Sequence, residues 1–327
     1  MFTVQRITEI MRIFAFATGF AAIVQAPAVR AQYTLSDRYD SSNFFSTFDF
    51  FNEEDPTHGF VEYVDATTAK SQGLVAYVDN AIYMGVDYKT QNPQNGRKSV
   101  RVHSQQSFTH GLFIADIAHM PGSIPGVWPA FWMFGPDWPT SGEIDIVEGV
   151  NTQIHNSIYL HTGPGCVFTN EGGDESDNLL VQDCSAPGGC GQITAESQSY
   201  GDGFNSINGG VYATEWTSEY IAVWFFQRDR IPGDIRSGVP DPLSWGPATA
   251  RFNGSNGCHL DDHFKDHRIV FDITFCGDWA GSPEVWYSNP QTAALGECKS
   301  YIASNPSHLR EAYWLIKSIE VYQQGGQ

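Results

Sequence analysis

An all-β fold follows from three features of this sequence. Thirty-two Gly and 17 Pro punctuate it at short intervals. The runs between them are rich in Val, Ile, Phe, Tyr and Trp, and almost no stretch carries a 3.6-residue apolar period. Extended segments are expected at 59–65, 81–86, 99–103, 111–117, 157–161, 220–226, 269–275 and 316–322. Two antiparallel sheets packed face to face would bury one side of each strand and leave the other to solvent or a ligand. Ser157-Ile158-Tyr159-Leu160-His161 shows the pattern: Ile158 and Leu160 point one way, and Ser157, Tyr159 and His161 the other. From 163 to 210 the chain is rich in Gly, Asn, Asp and Ser and holds three of the six cysteines. That stretch reads as long loops, of the kind that shape a site.

Charge and address narrow the function. Thirty-seven acidic residues against 18 basic ones give a net charge of −19, which repels phosphate backbones and anionic lipid. Neither nucleic acid nor a membrane is an expected partner. With 14% aromatic and 17% charged residues, the chain is too apolar to be disordered. Arg6 and Arg12, an apolar run over 13–24 and small residues up to Ala31 form a secretory signal peptide over 1–31. About a dozen apolar residues at 1.5 Å each fall short of a bilayer core of roughly 30 Å. No linker or repeat divides 32–327, so a single domain is expected there, in a secreted, extracellular monomer. Export favours disulfides, and Cys166, Cys184, Cys190, Cys258, Cys276 and Cys298 form an even set for up to three, with the pairing open. Asn253-Gly254-Ser255 is a glycosylation sequon.

The densest chemical signal is Gly142-Glu143-Ile144-Asp145-Ile146-Val147-Glu148-Gly149. On a helix the three acids would scatter around the axis. On a strand, Glu143 and Asp145 share a face, whereas Glu148 in a regular strand would point into the apolar core at a large desolvation cost. A one-residue bulge at about Ile146-Val147 restores the parity and puts all three on one surface. Glu143 and Glu148 would then lie roughly 13 Å apart at Cα, at about 3.3 Å per step. Leaning side chains bring the carboxyls to about 5–6 Å, the range of a retaining glycosidase. Crowding also splits their pKa values, so that one acid stays ionised and another protonated. The competing readings are an acidic, solvent-facing strand and a calcium site. Trp128-Pro129-Ala130-Phe131-Trp132 and Trp138-Pro139 lie just upstream, and flat rings beside paired acids suit the C–H faces of a sugar.

These residues resemble glycoside hydrolase family 16, and within it the secreted fungal laminarinase-type endo-β-glucanases. The resemblance runs through Gly111 to Asp116, His119-Met120-Pro121, Trp128 to Trp132, Gly142 to Asn151, His161-Thr162 with Cys166, and Phe275 to Gly281. It implies a β-jelly-roll sandwich with a cleft across its concave sheet, and a retaining double displacement without a cofactor or metal. By position it implies Glu143 as nucleophile, Glu148 as general acid/base and Asp145 as the assisting acid. It also places Trp132, Trp138, His161 and Trp279 against the sugar, with Asn43 and Arg101 as polar contacts. The segments 172–210 and 230–247 do not match the family pattern.

The expected activity is endo-hydrolysis of β-1,3 or mixed β-1,3/1,4 glucan, including 1,6-branched forms. Two alternatives stand beside it: a glucan transglycosylase or galactan hydrolase on the same acids, and a non-catalytic sugar-binding jelly roll. No Gly-x-Ser-x-Gly, His-Glu-x-x-His, P-loop or Gly-x-Gly-x-x-Gly occurs. The run Asp261 to His267 reads as a solvated loop rather than a metal site, and His110 and His119 as structural histidines.

Overall fold

Two antiparallel sheets, one of nine strands and one of eight, form a β-jelly-roll sandwich. The computed structural model describes residues 33–325 apart from 174–178 and 256. The expected signal peptide at 1–31 lies outside the described residues. In spatial order the eight-stranded sheet runs Leu179–Val181, Cys190–Ile193, Ser157–His161, Glu143–Glu148, Val127–Phe134, His267–Phe275, Arg101–Phe108 and Phe48–Phe51. The nine-stranded sheet is built around Gly111–His119 and the long strand Tyr313–Gln324, whose other edge takes both Ala81–Gly85 and Tyr33–Asp40. The longest described helix, Cys298–Ser304, has seven residues. No described helix is long and apolar enough to cross a membrane.

Alternation decides which face of the eight-stranded sheet is core. Ile158 and Leu160 are wholly buried, as are Ile269, Phe271 and Met133. Phe131 and Phe271 stack at 4.4 Å, and Trp314 from the facing sheet meets Phe271 edge-on at 5.3 Å. Burying each such ring contributes roughly 1.5–3 kcal/mol. The Trp314 indole also donates to the Asp272 carbonyl at 3.0 Å, which ties the facing sheet to a strand that carries cavity residues.

Three segments depart from the sequence expectation. Val127–Phe134, read as an aromatic cluster and not among the expected strands, is a central strand. The Glu143–Glu148 strand pairs with it only as far as Ala130, so that ladder has ended before the missing N–H of Pro129 could interrupt it. The polar stretch 163–210 contains three short strands and the helix Gly201–Ser206, and disulfides Cys166–Cys258 and Cys184–Cys190 tie it down. Cys276–Cys298 is the third bridge. Within 230–247, the helix Gly233–Arg236 and a turn at Pro242–Ser244 bring Ile235 and Trp245 against Trp224, closing a second, smaller apolar cluster on the nine-stranded sheet.

Candidate active site

The acidic strand is bulged. Along Val127–Phe134 the register runs Glu143 to Phe134, Ile144 to Met133 and Asp145 to Trp132, then jumps to Val147 opposite Phe131 and Glu148 opposite Ala130. On the other side Asp145 faces Tyr159 and Glu148 faces Ser157, so that two residues oppose Ile158 alone. The adjacent Ile146 and Val147, the pair at the shift, are both wholly buried. The extra residue turns Glu148 back to the face of Glu143 and Asp145, and all three line one cavity of about 320 Å³. The irregularity sits where side-chain parity requires it. Asn156, 0% exposed, spans it: its Nδ2 donates to the Ile146 carbonyl at 2.8 Å, and its Oδ1 accepts the Glu148 N–H at 2.9 Å.

Indoles hold the acids. Trp128 Nε1 donates to Glu148 Oε1 at 2.9 Å, Trp132 Nε1 to Asp272 Oδ2 at 3.1 Å, and Trp138 Nε1 to Glu143 Oε2. Trp138 is 59% exposed and stands at the rim. Arg101, buried, lies over the rings of Trp132 and Phe51 at 4.9 and 4.7 Å. Its Nε donates to His103 at 2.9 Å and comes within 4.0 Å of Asp272. These contacts fix the flat ring of Trp132 before any ligand arrives.

Five carboxyls, those of Asp55, Glu143, Asp145, Glu148 and Asp272, share the cavity wall with one cation, Arg101. Burial pushes Glu143 up to about 7, Glu148 up to about 8 and Asp272 up to about 7. The Trp138 bond and the Arg101 charge restrain Glu143, and the Trp128 bond restrains Glu148. Asp145 is pushed well above its ordinary value, by burial first and then by the charges of Glu143 and Glu148, which favours its neutral form beside Glu143. Burial pushes His161 down to about 4, so its ring is neutral at 3.5 Å from Asp145 Oδ2 and 3.9 Å from Glu143 Oε1. Gly189, at φ +68°, packs so closely that a Cβ there would lie 2.7 Å from the His161 ring. Glu143, Asp145 and His161 offer ligand atoms within 4.8 Å of one another, a spacing a cation could bridge. Two carboxyls that ionise in sequence inside an aromatic trench can act as nucleophile and proton donor.

Glu143, Asp145, Glu148, Arg101, Trp132 and Trp138 come together on the wall. His161 reaches the acids from the neighbouring strand, and Trp279 reaches the site through an edge-on contact with Trp128 at 5.6 Å. Asn43 does not line the cavity: its amide donates to the Arg38 carbonyl at 2.8 Å and accepts the Asp40 N–H at 3.0 Å, closing a turn. Sequence reasoning missed Asp272, Asp55 and Asn156. Asp272 had a signal, the alternation of Val270, Asp272 and Thr274 between buried Ile269, Phe271 and Ile273. Asn156 had none, because its partners are set by strand register.

Comparison with known proteins places the chain in a family. Residues 48–322 match the profile of the XgeA-like, catalytic GH16 domain. The endo-1,3(4)-β-glucanase of Arthroderma benhamiae is 42% identical over 304 residues, covering 90% of this chain and 66% of that one. This chain spans about two thirds or less of the length of the first curated relatives it matches. A solved structure described as an elongating family 16 β-1,3-glucosyltransferase superposes at TM-score 0.82 and 42% identity, covering 89% of this chain and 100% of that chain. Laminarinase 16A of Phanerochaete chrysosporium, with 6-O-glucosyl-laminaritriose in both donor and acceptor sites, gives 0.83 at 38% identity with the same coverage. On the family profile and these identities, the chain belongs to glycoside hydrolase family 16.

Proposed function

We propose that this chain is a secreted, retaining endo-β-glucanase acting on β-1,3 or mixed β-1,3/1,4 glucan, 1,6-branched forms included, with residues 32–327 as its single catalytic domain. The observation that carries the proposal is the bulge, which sets Glu143, Asp145 and Glu148 side by side under the indoles of one cavity. Glu143, the first of the three to ionise, attacks the anomeric carbon while protonated Glu148 delivers its proton to the departing glycosidic oxygen. The resulting glycosyl ester is then cleaved by water, whose proton returns to Glu148. Asp145, which burial and the two glutamate charges push toward its neutral form, stands beside Glu143 as the assisting acid. Trp132, Trp138, Trp128 and Trp279 offer flat surfaces to uncharged sugar rings, and the acid-rich wall repels anionic polymers. Three disulfides support an oxidising, extracellular setting. Glu143→Gln should abolish release of reducing sugar from laminarin while glucan binding persists; normal turnover by that variant overturns the assignment.

A second reading, transfer of the glycosyl unit to another sugar, draws on the 42% identity to the elongating glucosyltransferase. Both reactions pass through the same glycosyl ester, so product lengths decide: hydrolysis yields only shorter oligosaccharides from laminarihexaose, and transfer also yields longer ones.

A further inference from the structure

We propose that Asn156 is the positioning residue of Glu148: its side-chain amide holds the bulge open and so determines where the proton donor stands. This rests on the reading of Glu148 as general acid/base. A bulge breaks the ladder locally and leaves main-chain groups without a strand partner. Here Asn156 partners two of them, the Ile146 carbonyl and the Glu148 N–H. One is an acceptor and the other a donor, so together they dictate which way the amide faces. Without that amide both would be left unpaired in a dry interior, and the bulge loses the two bonds that fix its geometry.

A bulge that lacks those bonds lets the main chain at Glu148 shift, and its carboxyl loses its set position relative to Glu143. The backbone that carries this side chain is itself anchored. The Asn156 N–H is received by the hydroxyls of Thr194 at 3.1 Å and Ser199 at 3.2 Å, which lie 2.7 Å apart and are both buried. Ser199 also donates to the Glu196 carbonyl at 2.6 Å. The position of Glu148 is thus referred to residues 194–199, which follow the strand Cys190–Ile193 and carry none of the cavity-wall groups. Glu143 and Asp145, on the regular part of their strand, do not depend on this clamp.

The test compares a substrate that needs a proton donor with one that does not. Asn156→Ala, Thr194→Val and Glu148→Ala are assayed on laminarin and on 2,4-dinitrophenyl β-laminaribioside, whose phenolate departs unprotonated. Asn156→Ala should lower kcat on laminarin by about 100-fold or more while the burst of dinitrophenolate stays within about tenfold of the parent rate. Thr194→Val, which removes one of the two hydroxyls under the amide, should show a smaller split of the same sign, and it decides the matter if Asn156→Ala does not fold. A merely structural role lowers both rates together, so equal losses, or no loss, overturn the proposal. Glu148→Ala should split the two substrates most strongly. If it does not, the acid/base reading of Glu148 is what fails, and the purpose assigned to the clamp falls with it.

Discussion

Trp128→Phe tests how the cavity sets the acidity of Glu148. The substitution keeps an aromatic ring against Trp279 and deletes one interaction, the 2.9 Å bond from the indole N–H to Glu148 Oε1. A hydrogen bond to a charged group contributes about 1.5–3 kcal/mol, and about 1.4 kcal/mol corresponds to one pKa unit. The bond stabilises the ionised carboxylate, so losing it raises the pKa by about one to two units. Water entering the cavity mouth replaces part of the bond, which favours the lower end of that range. Glu148 must be protonated to act as the acid, so the basic limb of kcat/KM against pH on soluble laminarin moves upward. That quantity reports the free enzyme, in which the geometry is known. A basic limb that stays in place or moves down refutes the link between the indole, the acid and the limb.

Two further outcomes follow from the same electrostatics. In the fold Glu148 titrates at about 8, above the unfolded value of roughly 4.3, so its contribution to stability is full below the unfolded pKa and is lost as pH rises through 8. Glu148→Gln escapes that loss: its melting temperature should match the parent near pH 4 and exceed it by on the order of 2–4 °C at pH 8 by calorimetry. A larger gain at pH 4 contradicts the sign. Arg101 holds the Glu143 pKa down through its charge, so Arg101→Met should shift the acid limb of the pH profile upward by on the order of one unit. An acid limb that moves down would remove Arg101 from that role.

Much of the site is legible in the sequence because one residue type is costly in the wrong place. Three acids spaced two and three apart, with Ile146 and Val147 adjacent, leave an extended strand no satisfactory arrangement except a bulge. Ser157–His161 is legible for the matching reason, since its strict alternation survives intact. Val127–Phe134 was obscured by Pro129, whose tolerance depends on where the neighbouring strand ends, and strand ends are not written locally. The strands within 163–210 are three or four residues long, too short for a period to show. Asn43 shows a different demand: a polar side chain assigned by position to a sugar closes its own turn, through the Arg38 carbonyl and the Asp40 N–H. Asn156 is eight residues beyond Glu148, and only the antiparallel register folds it back beneath the bulge.

The central claim is that the bulged strand presents Glu143 to an anomeric carbon. Incubation with 2-deoxy-2-fluoro-β-laminaribiosyl fluoride, which forms a glycosyl ester that hydrolyses slowly, followed by peptide mapping by mass spectrometry, tests it directly. The account predicts one stoichiometric adduct, on Glu143. An adduct on Glu148 or Asp272, or turnover of a β-glucan to an α-configured product with no adduct at all, contradicts it.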